Sequence, residues 1–273
     1  MHHEPAPVES PTNPRVKRLV RLRERRARDA EGVGLVEGAR EVDRALEGGW
    51  NVVVLATCTA LYSPAARALA SRREGLDTER WALSEVAFRK ASLRQHPDGV
   101  LALVVPPKRA LTDLPAPSDA LWLVADGLEK PGNLGALLRT ADAADVDAVL
   151  VTGAGTDLAN PNVVRASMGS LFARPVLAVA PDRARAELRA RGMRVVATTP
   201  AATVDLWDAD LCGPVAIVLG TEHAGLDPAW LADADVHVRV PMAGLADSLN
   251  VATTGALLLF EARRQRRAAA QKG

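Results

Sequence analysis

Three segments in the second half of the chain place polar side chains just after an apolar run of strand length. These side chains are two asparagines, one arginine, one glutamate and one serine: Asn133, Arg139, Glu222, Ser248 and Asn250. Ligands of α/β sheets bind beyond the carboxyl ends of strands, so the three segments are expected to share one pocket. An arginine among apolar neighbours needs an anion or an acidic partner, and Glu222 could hold Arg139 in place.

Each of these residues also has a plain structural interpretation. Asn133, Ser248 and Asn250 are residue types that cap helices. Arg139 could form a surface salt bridge, and the glycines around Glu222 could simply form a turn. The shared pocket is favoured because all three segments follow strands.

A fourth segment gives a weaker signal. Gly153 and Gly155 follow a predicted strand and match half of the dinucleotide-binding pattern Gly-x-Gly-x-x-Gly. The third glycine is missing and no clear helix begins there, so a partial match of this kind is weak evidence. A nicotinamide-dependent oxidoreductase remains a minor alternative.

The elements around these segments predict two α/β domains. We expect a disordered tail over 1–12, a first domain over 13–106, a linker over 107–119 and a second domain over 120–268. The linker is expected because Pro106, Pro107, Pro115 and Pro117 cluster there. Single helices are expected at 14–28 and at 249–267.

The second domain contains six continuous apolar runs of strand length, at 121–125, 148–152, 175–180, 194–198, 215–219 and 236–240. Continuous runs suit parallel strands that are covered on both faces. Helical segments fit between them, so the sequence predicts an α/β domain with a mostly parallel sheet.

The composition is that of a globular protein. Of 273 residues, 48% are hydrophobic and 25% are charged, with a net charge of +1. No apolar stretch is long enough to span a membrane, and residues 1–10 lack a secretory signal. Two distant cysteines predict neither a disulfide framework nor a zinc cluster, no metal is expected, and the reducing cytoplasm is the expected location. Aromatic residues make up 3%, which argues against a sheet that stacks RNA bases.

The positive charge is unevenly distributed. Eight basic residues and one acid lie between residues 14 and 28, and a second basic cluster ends the chain. Such clusters attract polyanions, although a solvated helix face is an equally plain explanation. The residues predicted to bind the phosphates of a polyanion are Arg15, Lys17, Arg18, Arg25 and Arg26.

Taken together, the three segments resemble the motifs of the SpoU/TrmH family of RNA ribose methyltransferases. The pattern Asn-x-Gly-x-x-x-Arg lies at 133–139, Gly-x-Glu-x-x-Gly at 220–225, Val-Pro-Met at 240–242 and Ser-Leu-Asn-Val at 248–251. A further stretch that resembles the family sequence lies at 165–170. The first domain, with its basic helix and the segment 35–41, more loosely resembles the substrate-binding domain that often precedes this catalytic domain.

The resemblance implies a SPOUT fold with a trefoil knot, preceded by a smaller α/β/α domain similar to ribosomal proteins. It implies a homodimer and S-adenosyl-L-methionine as the cofactor. By matching, the cofactor would contact Thr198, Leu219, Gly220, Val240, Met242 and Leu249. Arg139, Asn133, Glu222, Asn250 and Ser248 would form the catalytic site.

The resemblance implies methyl transfer to a ribose 2′-hydroxyl, and the extra domain favours ribosomal RNA over transfer RNA. Arginine is a poor base, so we expect Arg139 to fix a phosphate and stabilise alkoxide charge. Ala252 and Thr253 depart from the pattern of many relatives, which leaves the cofactor contacts in that turn open. A tRNA 2′-O-methyltransferase and a non-catalytic RNA-binding or ribosome-assembly protein remain alternatives.

Overall fold

The structure is a computed structural model, and it describes residues 7–72, 78–221 and 225–271. The chain forms two compact units. Unit 1 comprises residues 1–108 and 157–173, and unit 2 comprises residues 109–156 and 174–273.

The helices and strands alternate along the chain. The helices are α1 (Pro14–Arg21), α2 (Arg25–Glu31), α3 (Ala39–Glu47), α4 (Pro64–Arg72), α5 (Glu85–Ala91), α6 (Pro131–Ala143), α7 (Pro161–Ala166), α8 (Pro181–Ala190), α9 (Pro228–Asp233) and α10 (Val251–Ala270). The strands are β1 (Gly34–Glu37), β2 (Asn51–Thr57), β3 (Glu79–Ala82), β4 (Val100–Val105), β5 (Leu121–Asp126), β6 (Ala148–Thr152), β7 (Val176–Ala178), β8 (Arg194–Thr198), β9 (Val204–Asp205), β10 (Val215–Leu219) and β11 (Val236–Arg239).

Unit 1 is built on a four-stranded sheet in the order β1-β4-β2-β3. β4 runs antiparallel to β1 and β2, and β2 runs parallel to β3. Part of the segment predicted as a tail is paired here, because the Val8 amide donates to Ala82 O at 2.8 Å and the Ser84 amide donates to Val8 O at 3.0 Å.

The single helix predicted over 14–28 is wrong, because the chain breaks between α1 and α2. The guanidinium of Arg28, which is 2% exposed, donates to the carbonyl oxygens of Leu22 at 3.0 Å and Arg23 at 2.6 Å. These carbonyls lie at the break, where they lack helical partners. Periodicity alone did not predict that a basic residue would turn inward.

Residues 157–173 group with unit 1, whereas the sequence places them within the second domain. Asp157 forms an ion pair with buried Arg28 at 2.9 Å. The rings of Trp50 and Phe172 meet edge to face, with centroids 5.0 Å apart. Aromatic pairs favour this arrangement, so the segment is held by both charge and packing.

Unit 2 contains a seven-stranded sheet in the order β7-β6-β5-β10-β8-β11-β9, and all its neighbouring strands are parallel. The predicted parallel α/β fold is therefore confirmed. The sequence did not predict β9 or α9, which are too short to give a periodic signal. The knot implied by the resemblance stays a prediction.

Candidate functional site

A cavity of about 360 Å³ lies at the carboxyl ends of β8, β10 and β11. The residues predicted to contact the cofactor all line this cavity: Thr198, Leu219, Gly220, Val240, Met242 and Leu249. Ser248, which was predicted to be catalytic, lines it as well. The position agrees with the general rule that ligands of parallel sheets bind beyond the carboxyl ends of strands.

Three residues that follow β10, Gly220, Thr221 and Gly225, form part of the cavity wall. A Cβ atom on residue 220 would lie 2.3 Å from the Gly225 carbonyl oxygen, so this position requires glycine. Gly225 has a φ of +70°, a left-handed backbone conformation that glycine adopts without a steric penalty. Thr221 and Gly225 exchange backbone hydrogen bonds of 2.9 and 3.2 Å. Glu222 and its two following residues lie outside the described residues.

The chemistry of the cavity fits S-adenosylmethionine. Buried Leu219, Val238, Val251 and Leu258 provide apolar walls, which suit an adenine ring and methylene groups. The backbone beside Gly220 brings peptide groups to the same space. The Thr198 hydroxyl donates to Val218 O at 3.1 Å, which ties the ends of β8 and β10 together.

The segment between β11 and α10 covers the cavity with exposed residues. Leu245 is fully exposed, and Met242 is 37% exposed. Asn250 caps α10, because its side-chain oxygen accepts the Ala252 amide at 2.9 Å. The helix therefore begins at Val251, two residues later than predicted.

Asn133 lies in the first turn of α6 and does not cap it. The N-cap residue is Lys130, and α6 begins at Pro131, whereas the alternative interpretation of the sequence made Asn133 the cap. The Asn133 side-chain oxygen instead accepts a hydrogen bond of 3.1 Å from Asn250 Nδ2. The motif at 133–139 and the motif at 248–251 are therefore in direct contact.

Close packing of α10 against α6 and β10 supports this contact. A Cβ atom at Gly255 would lie 2.4 Å from Leu137 Cδ1 and 2.8 Å from Leu219 Cδ1. Both leucines are buried, so the missing side chain at Gly255 lets the helices approach.

The far half of α10 is anchored by Arg266. Its guanidinium donates to Gly213 O at 2.7 Å and Leu211 O at 3.2 Å, and also to Asp119 O. Burial lowers the pKa of Arg266 below its ordinary value, although nearby acids oppose the shift. Arg266 belongs to the basic cluster at the end of the chain, and it therefore has a structural role.

Arg139 follows Asn133 by six residues on α6, about 9 Å further along the helix axis. Its side chain is exposed. Among the described residues, none forms a hydrogen bond or an ion pair with it, and neither Arg139 nor Asn133 lines the cavity. As far as the described residues show, the Arg139 guanidinium is therefore available to an anionic ligand.

The basic residues predicted to bind RNA fall into two groups. Three are ion-paired: Arg15 with Glu79 at 3.3 Å, Arg18 with Glu31 at 2.8 Å and Arg25 with Asp29 at 3.5 Å. Lys17 and Arg26 are exposed, and the described part of the chain offers them no acidic partner. These two cations are the most available to phosphates.

Glu31 neutralises part of the basic surface. Partial burial would raise the pKa of its carboxyl, but hydrogen bonds and charges from Arg18 and Arg21 hold that pKa below its ordinary value. Glu31 is therefore ionised at neutral pH and competes with any external anion for both arginines.

Five polar residues that the sequence analysis did not single out also line the cavity: Thr199, Thr221, Arg239, Asp247 and Thr254. Their positions in the sequence could have indicated them, because each lies within a few residues of a strand end or of the start of α10.

In the described ranges, no helix is long and apolar enough to cross a membrane, and no cluster of three or more potential ligands suits a metal ion.

Comparison with protein families gives two matches. The model of the SpoU rRNA Methylase family matches residues 120–260. The model of the MRM3-like substrate binding domain matches residues 13–102. The family matches thus cover both the candidate site and the basic N-terminal region.

Individual relatives extend over nearly the whole chain. The 23S rRNA (uridine(2479)-2′-O)-methyltransferase of Streptomyces viridochromogenes is 34% identical over 90% of this chain and 87% of its own. The crystal structure of an RNA 2′-O ribose methyltransferase is 44% identical, covers 94% of this chain and 98% of its own, and superimposes with a TM-score of 0.82. The SpoU methyltransferase AviRb from Streptomyces viridochromogenes, solved with AdoMet, is 33% identical, covers 94% and 100%, and has a TM-score of 0.85.

Proposed function

The chain belongs to the SpoU rRNA methylase family, and we propose that it transfers a methyl group from S-adenosylmethionine to a ribose 2′-hydroxyl of ribosomal RNA. The observation that carries the proposal is the direct contact of Asn133 with Asn250 beside the cavity. That contact places residues of two family motifs next to a space suited to the cofactor. The relatives named above as 2′-O-methyltransferases support the same activity.

S-adenosylmethionine supplies a sulfonium-bound methyl group and its leaving group when it is bound. Thr198, Gly220, Val240 and Leu249 would hold the cofactor among the cavity walls. The protein then has to orient the ribose and stabilise charge that develops on its 2′-oxygen.

Arg139 would provide that charge stabilisation. A guanidinium stays protonated in water and is therefore a poor base, but it binds phosphate and alkoxide oxygens well. The exposed side chain of Arg139 has no partner among the described residues and so can bind the phosphate next to the target ribose. The contact between Asn133 and Asn250 would fix the position of the ribose.

Ser248 would shape the pocket from its place in the cavity wall. Glu222 would hold the polar network from the turn after β10, as the family motif implies.

The remaining parts of the proposal concern binding and location. Lys17 and Arg26 would bind RNA phosphates without reading sequence. We propose ribosomal RNA as the substrate in preference to transfer RNA, because the N-terminal region matches a substrate-binding domain. We also propose a homodimer and a cytoplasmic location.

The test is transfer of radioactive methyl groups from S-adenosylmethionine to ribosomal RNA by wild type, Arg139→Ala and Arg183→Ala. Arg183 is an exposed arginine of α8, so it is a matched control. We expect Arg139→Ala to lower kcat about 100-fold or more, while cofactor affinity stays within about twofold of wild type. Wild-type turnover from Arg139→Ala would contradict the assignment, and RNA binding without any transfer by wild type would favour the non-catalytic alternative.

A further inference from the structure

Residues 152–156 lie alongside the loop 126–129, which leads from β5 into α6. Four hydrogen bonds join the two segments. The Gly127 amide donates to Thr152 O at 2.9 Å, and the Thr152 hydroxyl donates to Asp126 Oδ1 at 2.6 Å. The Thr156 amide donates to Leu128 O at 2.9 Å, and the Thr156 hydroxyl donates to Glu129 O. Each residue from 126 to 129 therefore takes part in one of these four hydrogen bonds.

Two glycines allow this close approach. A Cβ atom at Gly153 would lie 3.0 Å from the Gly127 nitrogen, and Gly153 has a φ of +75°. A Cβ atom at Gly155 would lie 2.5 Å from the Leu128 carbonyl oxygen. These glycines are the ones that half-match the dinucleotide-binding pattern. The structure accounts for them by the approach of one backbone segment to another.

The held loop ends one residue before the N-cap of α6. That N-cap, Lys130, makes no side-chain capping hydrogen bond. The Asn133 and Leu134 amides donate to the Lys130 carbonyl oxygen at 3.1 and 3.2 Å, which joins the first turn of α6 to the segment that precedes it. Asn133 lies in this turn, four residues after Glu129, and must meet Asn250.

We propose that residues 152–156 are a positioning clamp for the loop 126–129, which leads into α6 and Asn133, and that Thr156 is, through its hydroxyl, a positioning residue for methyl transfer. The inference rests on the proposed function, because Asn133 matters only if the site methylates. Thr156 touches neither the cavity nor Asn133 among the described contacts. It acts through the carbonyl of Glu129, which precedes the helix.

Thr156→Val tests the clamp because it keeps the shape of the side chain and removes its hydroxyl. We expect kcat to fall about 10- to 100-fold, since small displacements of a positioned group have effects of this size. The KM and the affinity for S-adenosylmethionine should stay within about twofold of wild type. Thr156→Ser restores the hydroxyl and should recover kcat to within about threefold.

Thr112→Val is the matched control, because Thr112 is an exposed threonine in the turn Leu111–Asp113 before β5. Its kcat should equal that of wild type. The clamp is overturned if Thr156→Val keeps wild-type kcat, or if Thr156→Ser is as slow as Thr156→Val. It is also overturned if Thr156→Val loses cofactor affinity and thermal stability along with kcat, because that result indicates a general structural role.

Hydrogen exchange separates failure of the clamp from failure of the proposed function. Thr156→Val should speed amide exchange in residues 126–135 and leave β8 and β10 unchanged. If wild type transfers no methyl group, the proposed function fails, and exchange still decides whether Thr156 holds the loop. If wild type is active and exchange in 126–135 is unchanged, the clamp alone is wrong.

Discussion

The Asn250 side-chain amide donates a hydrogen bond of 3.1 Å to the Asn133 side-chain oxygen, joining residues 117 positions apart. Asn250 caps α10 with its oxygen and contacts α6 with its nitrogen. One amide thus connects a helix cap to the first turn of a second helix. Both groups of an asparagine side chain are needed for this, because the oxygen accepts and the nitrogen donates.

Asn250→Asp should separate the two roles. Aspartate keeps the oxygen that caps α10 but cannot donate to Asn133, and two oxygens would face each other. We expect kcat to fall about 10- to 100-fold, because the ribose-positioning group is misplaced, while the free energy of unfolding changes by less than about 1 kcal/mol. Steady-state kinetics and urea unfolding measure the two effects. Asn133→Asp is the control for the hydrogen bond, since it keeps the acceptor for Asn250 and leaves the cap of α10 intact. Wild-type kcat from Asn250→Asp would contradict this account.

Gly255→Ala should destabilise the protein, although the same change in an exposed helix usually stabilises it by about 0.5–1 kcal/mol. The new Cβ atom would lie within 2.8 Å of two buried leucine methyl groups. Overpacking of this kind costs about 1–3 kcal/mol, so the unfavourable effect should prevail. Thermal and urea unfolding measure the difference. An increase in stability would show that α10 is not tightly packed against α6.

The sequence predicted most of the parallel strands well because β5, β6, β7 and β10 consist almost entirely of continuous apolar runs. β6, β8 and β10 have the bounds expected from the sequence. It did not predict the break between α1 and α2, which depends on Arg28 turning inward to bind two carbonyls and Asp157. That ion pair links residues far apart in sequence, and local patterns carry no information about it.

The candidate site shows the same division. The six cofactor positions implied by the family resemblance all line one cavity, because strand ends gather at one edge of a parallel sheet. The contact of Asn133 with Asn250 could not be predicted, because it needs the packing of α6 on α10 permitted by Gly255. The roles of the individual site residues stay predictions that the variants above test.

Lys17 and Arg26 should contribute most to salt-dependent RNA binding. Each is exposed, and each has no acidic partner in the described part of unit 1. Replacing either residue by alanine should make the slope of log K, the RNA association constant, against log salt less negative by about 0.7–0.9. Arg18→Ala should change the slope less, since Glu31 already holds Arg18 at 2.8 Å. Filter binding to ribosomal RNA at several salt concentrations measures these slopes, and an equal change from Arg18→Ala would contradict the ranking.

Glu41 should make the stability of unit 1 depend on acidic pH. Burial raises the pKa of this carboxyl, but Arg40 and Arg94 outweigh burial and hold the pKa below its ordinary value. A carboxyl with a lowered pKa in the folded state stabilises the protein above its unfolded pKa, and this stabilisation is lost as pH falls through the folded pKa. We therefore expect the free energy of unfolding to fall below about pH 4.5. Urea unfolding between pH 7 and pH 3 measures the fall, which Glu41→Gln should reduce. Equal pH dependence in the variant would exclude Glu41 as the cause.

The most direct test of the central claim is mass spectrometry of nucleosides from ribosomal RNA treated with the protein and S-adenosylmethionine. Wild type should add a methyl group to the ribose of one nucleoside, and the modified phosphodiester bond should resist alkaline hydrolysis because its 2′-oxygen is blocked. Arg139→Ala should form this product about 100-fold more slowly or slower still. Methylation of a base, or no methylation of ribosomal RNA by wild type at saturating cofactor, would contradict the account.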